Sequence, residues 1–222
     1  MPELTRRQIA LLAAAVLVLA ALVVGVYGLI TGPSASGTKS GRPAVAIADQ
    51  PPPAASTRAP DPTSAALPHT NDAVTYARAV ASALFDWDTA VGFLPADYQA
   101  PVLADADPSG EETSGLITDV ATYMPTVNQW LDLGAMDVTQ TLSITSAEVP
   151  AGWASAVDQA HGELRPGTTA VTIEGTRHRT GIWNGEASST SSPVSFTVFV
   201  ACPPAFDRCR VLRLSQLDDP LR

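Results

Sequence analysis

The chain has 222 residues, 45% of them hydrophobic, 6% aromatic and 16% charged, with a formal net charge of -9. It is too apolar for an intrinsically disordered protein, and two cysteines are too few for a disulfide scaffold. One lysine (Lys39) and twelve arginines against 22 acids leave no surplus of cation for phosphate, which excludes a general nucleic-acid binder.

Residues 9–30 carry no charge, and thirteen of the 22 are Leu, Ile or Val. At about 1.5 Å per residue a helix of this length spans about 33 Å, the thickness of a hydrocarbon core. Summed insertion energies come to roughly -4 to -8 kcal/mol. Arg6 and Arg7 precede the run, and no basic residue follows until Lys39. The sequence therefore predicts a cytoplasmic N-terminus over 1–8, a transmembrane helix over 9–30 and an extracytoplasmic remainder. A cleaved signal peptide is the rival reading, but its apolar region is shorter, and Ser34, Ala35 and Ser36 make a poor cleavage site.

Residues 31–68 hold eight prolines among Gly, Ser, Thr and Ala. With φ fixed at each proline and little to bury, this reads as a disordered, semi-extended linker reaching at most about 120 Å.

The folded domain is expected over 69–222. Ala73, Ala77, Val80, Leu84, Trp87 and Val91 recur at helical spacing, which predicts one long first helix. Ser109 and Glu112 have capping-box spacing ahead of a second helix bearing Leu116, Val120 and Tyr123. Pro125 opens a third, carrying Trp130 to a stop at Gly134. Residues 138–149 alternate as a strand, with Leu142 and Ile144 on one face, and Pro150 ends it. A short helix is expected near 153–161. Three strands follow: 168–183, one carrying Val194, Phe196, Val198 and Val200, and one carrying Leu212 and Leu214. Gly175 and Gly181 are natural bulge positions, and Asn184-Gly185 is a hairpin turn. Helices grouped before consecutive strands predict an α+β domain with a curved four-stranded antiparallel sheet.

Cys202 and Cys209 flank a six-residue segment that suits a hairpin loop. Outside the cytoplasm they are expected to form a disulfide of roughly 2–3 kcal/mol. Two cysteines and three scattered histidines do not make a zinc set, and C-x-x-C redox spacing is absent. No metal or cofactor is expected.

Charge is uneven. Residues 69–164 hold fourteen acids and one arginine, whereas residues 165–222 hold seven arginines and five acids. The acidic half is either a solvated face or one half of a complementary contact. No nucleophile elbow, zincin, P-loop or dinucleotide fingerprint occurs. Asp86 and Asp88 are the tightest carboxylate pair, but residues two apart on a helix do not face each other. Arg177, His178 and Arg179 form the densest polar cluster. On a strand the two arginines share the side of Val171 and Ile173, with His178 opposite, and a bulge at Gly175 would exchange those faces. Two arginines one pleat apart suit an anion or a partner carboxylate. Arg177, His178, Arg179, Trp183, Asp86 and Asp88 are thus the candidate partner or pocket contacts.

Four strings carry a resemblance: FDWD at 85–88, TIEGTRHRTGIWNG at 172–185, FTVFVACPP at 196–204 and LRLSQLDDPLR at 212–222. With the membrane helix and proline-rich spacer, the chain resembles the bitopic assembly subunits of type IV secretion and conjugation systems from actinobacterial conjugative elements. That resemblance implies a cone-shaped, cystatin-like outer domain of the nuclear transport factor two superfamily. It implies a non-enzymatic scaffold that contacts other channel subunits; a homo-oligomer stays open as a further partner, and the acidic composition argues against a direct grip on nucleic acid. Two alternatives stay open. One is a ligand-binding or enzymatic domain of the same fold, in which Asp86, Asp88 or His178 points into a deep cavity. The other is an accessory subunit of a cell-envelope lipid transporter.

Overall fold

Asp72 starts the first helix, α1 (Ala73–Phe85), by accepting the Thr75 N–H at 2.6 Å. Tyr76, Ala77, Val80, Ala81, Leu84 and Phe85 form its buried stripe. The computed structural model describes residues 61–62 and 65–222. The expected membrane helix and most of the linker lie outside the described residues, and among those described no helix is long and apolar enough to cross a membrane. Leu67, on the linker side of the expected boundary at 68, is buried in the main core.

The chain leaves helical geometry at Asp86 (φ -91°, ψ 96°), so the seam expected to run on to Val91 stops at Phe85. Trp87 and Asp88 instead form a two-residue strand, β1 (Trp87–Asp88), and Thr89–Val91 a single 3-10 turn. Trp87 lies three residues past Leu84, which suits the helical stripe. It is buried in a second cluster instead, its ring 5.1 Å from that of Trp130. Periodicity within one segment cannot tell these destinations apart. A further helix, α2 (Pro95–Ala104), was not anticipated, because only Tyr98 and Val102 mark its buried side beside Pro95. Pro95 sits in its first turn, and the Asp97 carboxylate accepts the Leu94 N–H at 2.7 Å.

Two more helices follow, α3 (Thr113–Tyr123) and α4 (Val127–Gly134). The Ser109–Glu112 capping box does not form. The Ser109 hydroxyl donates to Asp107 instead, and Glu112 caps α3 without a side-chain bond. The capping box is at α4, where Thr126 and Gln129 bond reciprocally. Strand β2 (Thr139–Glu148) leads to a short helix α5 (Trp153–Gln159). The long strands β3 (Thr168–Trp183) and β4 (Glu186–Ala201) then come before β5 (Arg210–Leu214).

The sheet is curled and antiparallel, with five strands in the order β1-β2-β3-β4-β5 rather than the expected four. β3 and β4 pair without interruption from Thr168↔Ala201 to Trp183↔Glu186, closed by Asn184 (φ 51°) and Gly185 (φ 79°). β4 therefore begins eight residues before the first apolar position the sequence marked, because pairing carries the polar stretch along. The irregularity expected at Gly175 falls on β2, where Thr145 is the extra residue between Ile144 and Ser146. Gly175 serves the close approach, since a Cβ there would lie 2.6 Å from the Ser143 carbonyl oxygen.

The main core lies between the helices and one face of β3, β4 and β5, with Phe196 stacked 5.3 Å from Phe85 and edge-to-face with Tyr123 at 5.2 Å. On the other face Thr172 and Thr197 share a hydrogen bond, and the Thr172 hydroxyl donates to the Leu221 carbonyl. Cys202 and Cys209 form a disulfide across the β4–β5 loop.

The uneven charge is answered in part within the domain. Arg208 and Arg210 meet Asp105, Arg213 meets Asp119 and Glu112, and Arg165 meets Glu111 and Asp107. Five carboxylates of the helices and their loops are thus held by arginines, Arg208, Arg210 and Arg213 beside or on β5 and Arg165 ahead of β3.

Candidate functional site

Beyond Ile173, β3 runs out past the apolar core. Alternation keeps Arg177 and Arg179 on the face of Val171 and Ile173, because the β3–β4 register has no bulge to exchange the faces. Opposite them on β4 stand Ser192 and Thr190.

Arg177 donates from Nε and Nη2 to the Ser192 hydroxyl at 3.3 and 3.1 Å. Arg179 donates from Nε to the Gln140 side-chain oxygen at 2.8 Å. Gln140 is buried and anchored in turn, its amide donating to the Phe85 carbonyl at 2.9 Å. The Arg179 guanidinium carbon lies 5.4 Å from the centre of the Trp87 ring, within cation–π range. Burial, and then the like charge of Arg177, pull the Arg179 guanidinium below its ordinary value. Neither guanidinium has a carboxylate partner among the described residues. Both line a cleft of about 350 Å³ whose other wall includes Pro125, Gln129 and the exposed Asp132.

His178 occupies the opposite face, its ring nitrogens 2.9 Å from the Ser191 hydroxyl and 3.1 Å from that of Ser143. It does not enter the cleft. Trp183 stands at the tip of the hairpin, 61% exposed, beside the Asn184-Gly185 turn. Residues 182–191 are all exposed, so the hairpin tip and the outer half of β4 face solvent, while β3 stays paired with β2 as far as Thr180.

Asp86 and Asp88 act on the backbone rather than on each other. Asp86 accepts the Leu142 N–H at 2.7 Å, tying the end of α1 to β2, and burial of its carboxyl raises its pKa. Asp88 accepts the Ala90 N–H at 2.8 Å and opens the 3-10 turn. Both line a second cleft, of about 400 Å³, with Leu67, Trp87, Tyr98 and Pro101. Among the described residues no group of three or more His, Cys, Asp or Glu gathers where it would hold a metal ion.

Gln140 and Ser192 were not singled out in the sequence. Gln140 had a signal: it lies two residues before Leu142, so alternation puts a polar amide on the core-facing side of its strand. Ser192 had none, being one of six Ser and Thr residues between 188 and 195.

No family model matches the chain, and no curated protein matches it. Among solved structures, a periplasmic fragment of TraM is similar over 62% of this chain and 88% of that one, at 10% identity. Its TM-score is 0.30. A likeness of that size carries no argument about fold or function.

Proposed function

We propose that the chain is a non-enzymatic, membrane-anchored assembly subunit of a conjugative, type IV secretion-like DNA-transfer machine. In this reading the N-terminus is cytoplasmic, residues 9–30 anchor the chain, and a cone-shaped, cystatin-like outer domain acts by protein–protein contact. The supporting observation is the exposed tip of the β3–β4 hairpin, residues 182–191, which carries Trp183. An exposed tryptophan on a rigid hairpin suits a docking element. The apolar run at 9–30 and the sequence resemblance supply the membrane and the machine. Deletion of the chain is expected to lower DNA transfer by at least tenfold, with rescue by the full chain and not by one lacking residues 181–188. Transfer at the wild-type rate after deletion overturns the reading.

The cleft of about 400 Å³ bordered by Asp86, Trp87 and Asp88 favours a second reading, a ligand-binding outer domain. An apolar ligand that raises the melting temperature of the wild-type chain and not of a Ala83→Trp variant would support it over the first.

A further inference from the structure

Four of the seven arginines between 165 and 222 pair with carboxylates of the helices and their loops. Arg177 and Arg179 do not. Their acceptors are neutral, the Ser192 hydroxyl and the Gln140 amide oxygen. The two like charges stand one pleat apart with no carboxylate between them, and a carboxylate brought to Arg177 offsets their repulsion. Arg179 leans toward Gln140 on β2 and the Trp87 ring on β1, whereas Arg177 leans on Ser192 of β4 and is the guanidinium nearer the open edge.

The adjoining edge of the sheet is open. On β4 the odd-numbered residues point their backbone away from β3. Ser195 exchanges bonds with Asp218, and Ser215 N–H donates to the Thr197 carbonyl, whereas Cys202 N–H donates back to Gly167. The same parity leaves Ala187, Ser189 and Ser191 facing outward. β5 joins β4 only from Val198, and no described strand pairs beyond residues 187–193. Pro193, the next outward residue, has no N–H to offer and ends the open stretch at no cost to the β3 ladder. An added strand would lie about 4.8 Å from β4 and about 9.6 Å from β3. An arginine from β3 and a glutamate from that strand can meet over Ser192 at this separation.

We infer that the outer half of β4 accepts an extended acidic segment of a protein partner as an added strand along Ala187, Ser189 and Ser191, with a carboxylate of that strand seated on Arg177. A small free anion would use the arginine but not the row of backbone groups. Arg177 selects an acidic strand over a neutral one. The inference deepens the proposed function and rests on its reading of the outer domain as a docking module.

The test uses the full chain in detergent micelles and a fluorescent peptide alternating Glu with Thr and Val. Saturable binding is expected, with the Gln counterpart of the peptide at least tenfold weaker. Arg177→Gln and Ser189→Pro are each expected to weaken binding at least tenfold. Ser189→Pro removes an outward N–H and leaves the β3 ladder whole, so it tests strand addition even if Arg177→Gln misfolds. His178→Ala, on the opposite face, is expected to bind as wild type. Equal binding of the two peptides, or unchanged affinity in Ser189→Pro, overturns the inference. So does displacement by free glutarate or inorganic phosphate at the peptide's own affinity, which would mark a small-anion site. Peptide binding together with wild-type DNA transfer after deletion would sustain the acidic strand and overturn only the conjugation reading. A peptide that fails to bind while deletion abolishes transfer would do the reverse.

Discussion

Arg208, inside the disulfide loop, grips Asp105 at the end of α2 through a two-point fork, Nη2 to Oδ1 at 2.6 Å and Nη1 to Oδ2 at 3.0 Å. Arg210 adds a bond of 2.7 Å to Oδ1, and the Tyr76 hydroxyl donates to Oδ2 at 2.6 Å. Asp105 is only 7% exposed. Burial, and then the bond to Asp105, hold the Tyr76 hydroxyl above its ordinary range. One carboxylate thus joins α1, α2 and the loop before β5.

Asp105→Asn leaves the largely buried Arg208 without its counter-charge and Arg210 with only the exposed Asp207 carboxylate at 3.8 Å. Removing one partner of a buried pair costs about 3–5 kcal/mol, because the remaining charge stays desolvated. Urea unfolding of the full chain should show that loss in its midpoint. A loss under about 1 kcal/mol would mean that water reaches the site and replaces the carboxylate.

The disulfide closes a short loop, with a sequence separation of 7. Chain entropy alone assigns it about 2–3 kcal/mol. Replacing both cysteines by alanine should lower stability by about that amount. Because Arg208 lies within the loop, the double replacement and Asp105→Asn should be less than additive when combined. Strict additivity would show that the loop holds its shape without the bond.

Gln140→Leu keeps the volume but leaves the Phe85 carbonyl and the Arg179 Nε without their partners. A buried polar group stripped of its bond costs about 1–3 kcal/mol. The variant should unfold at lower urea. An unchanged midpoint would show that water satisfies both groups once the amide is gone.

Burial raises the pKa of Asp86 above 3.8, outweighing the bond from Leu142 N–H. The folded chain then holds this proton more tightly than the unfolded chain does. Its contribution therefore makes stability fall as pH rises from about 3.8 through the higher folded value, and level off beyond it. Asp86→Asn removes that dependence. Melting temperatures of the two proteins between about pH 3.5 and 7.5 should diverge in favour of the variant as pH rises. A gap that narrows with rising pH would show that the Leu142 bond to the charged form outweighs burial.

Much of the fold was legible because the signals are local. The stripe from Ala73 to Leu84 needs only helical spacing, and the turn at Asn184 and Gly185 needs only two residues that tolerate positive φ. Where two destinations share one local pattern, the sequence was silent. Trp87 fits the stripe of α1 as well as a short strand, and what decides is Trp130, 43 positions away in the chain, across the second cluster. The stretch from 186 to 193 has no apolar alternation and becomes a strand only because β3 is there to pair with it.

The amino-acid sequence by itself determined the apolar run at 9–30, the proline-rich stretch after it, an α+β domain with the helices mostly first, the cysteine pair and the split between an acidic and a basic half. These follow from composition, spacing and turn chemistry, which act over a few residues. Only the tertiary structure decided which charges meet. It spent four arginines on the acidic layer and left Arg177 and Arg179 facing a cleft, because partners in an ion pair here lie as much as 105 residues apart in the chain and are chosen by packing. The charge asymmetry suggested a surface for a neighbour. Folding paired five of the fourteen acids of residues 69–164 with four arginines and left Arg177 beside an open strand edge.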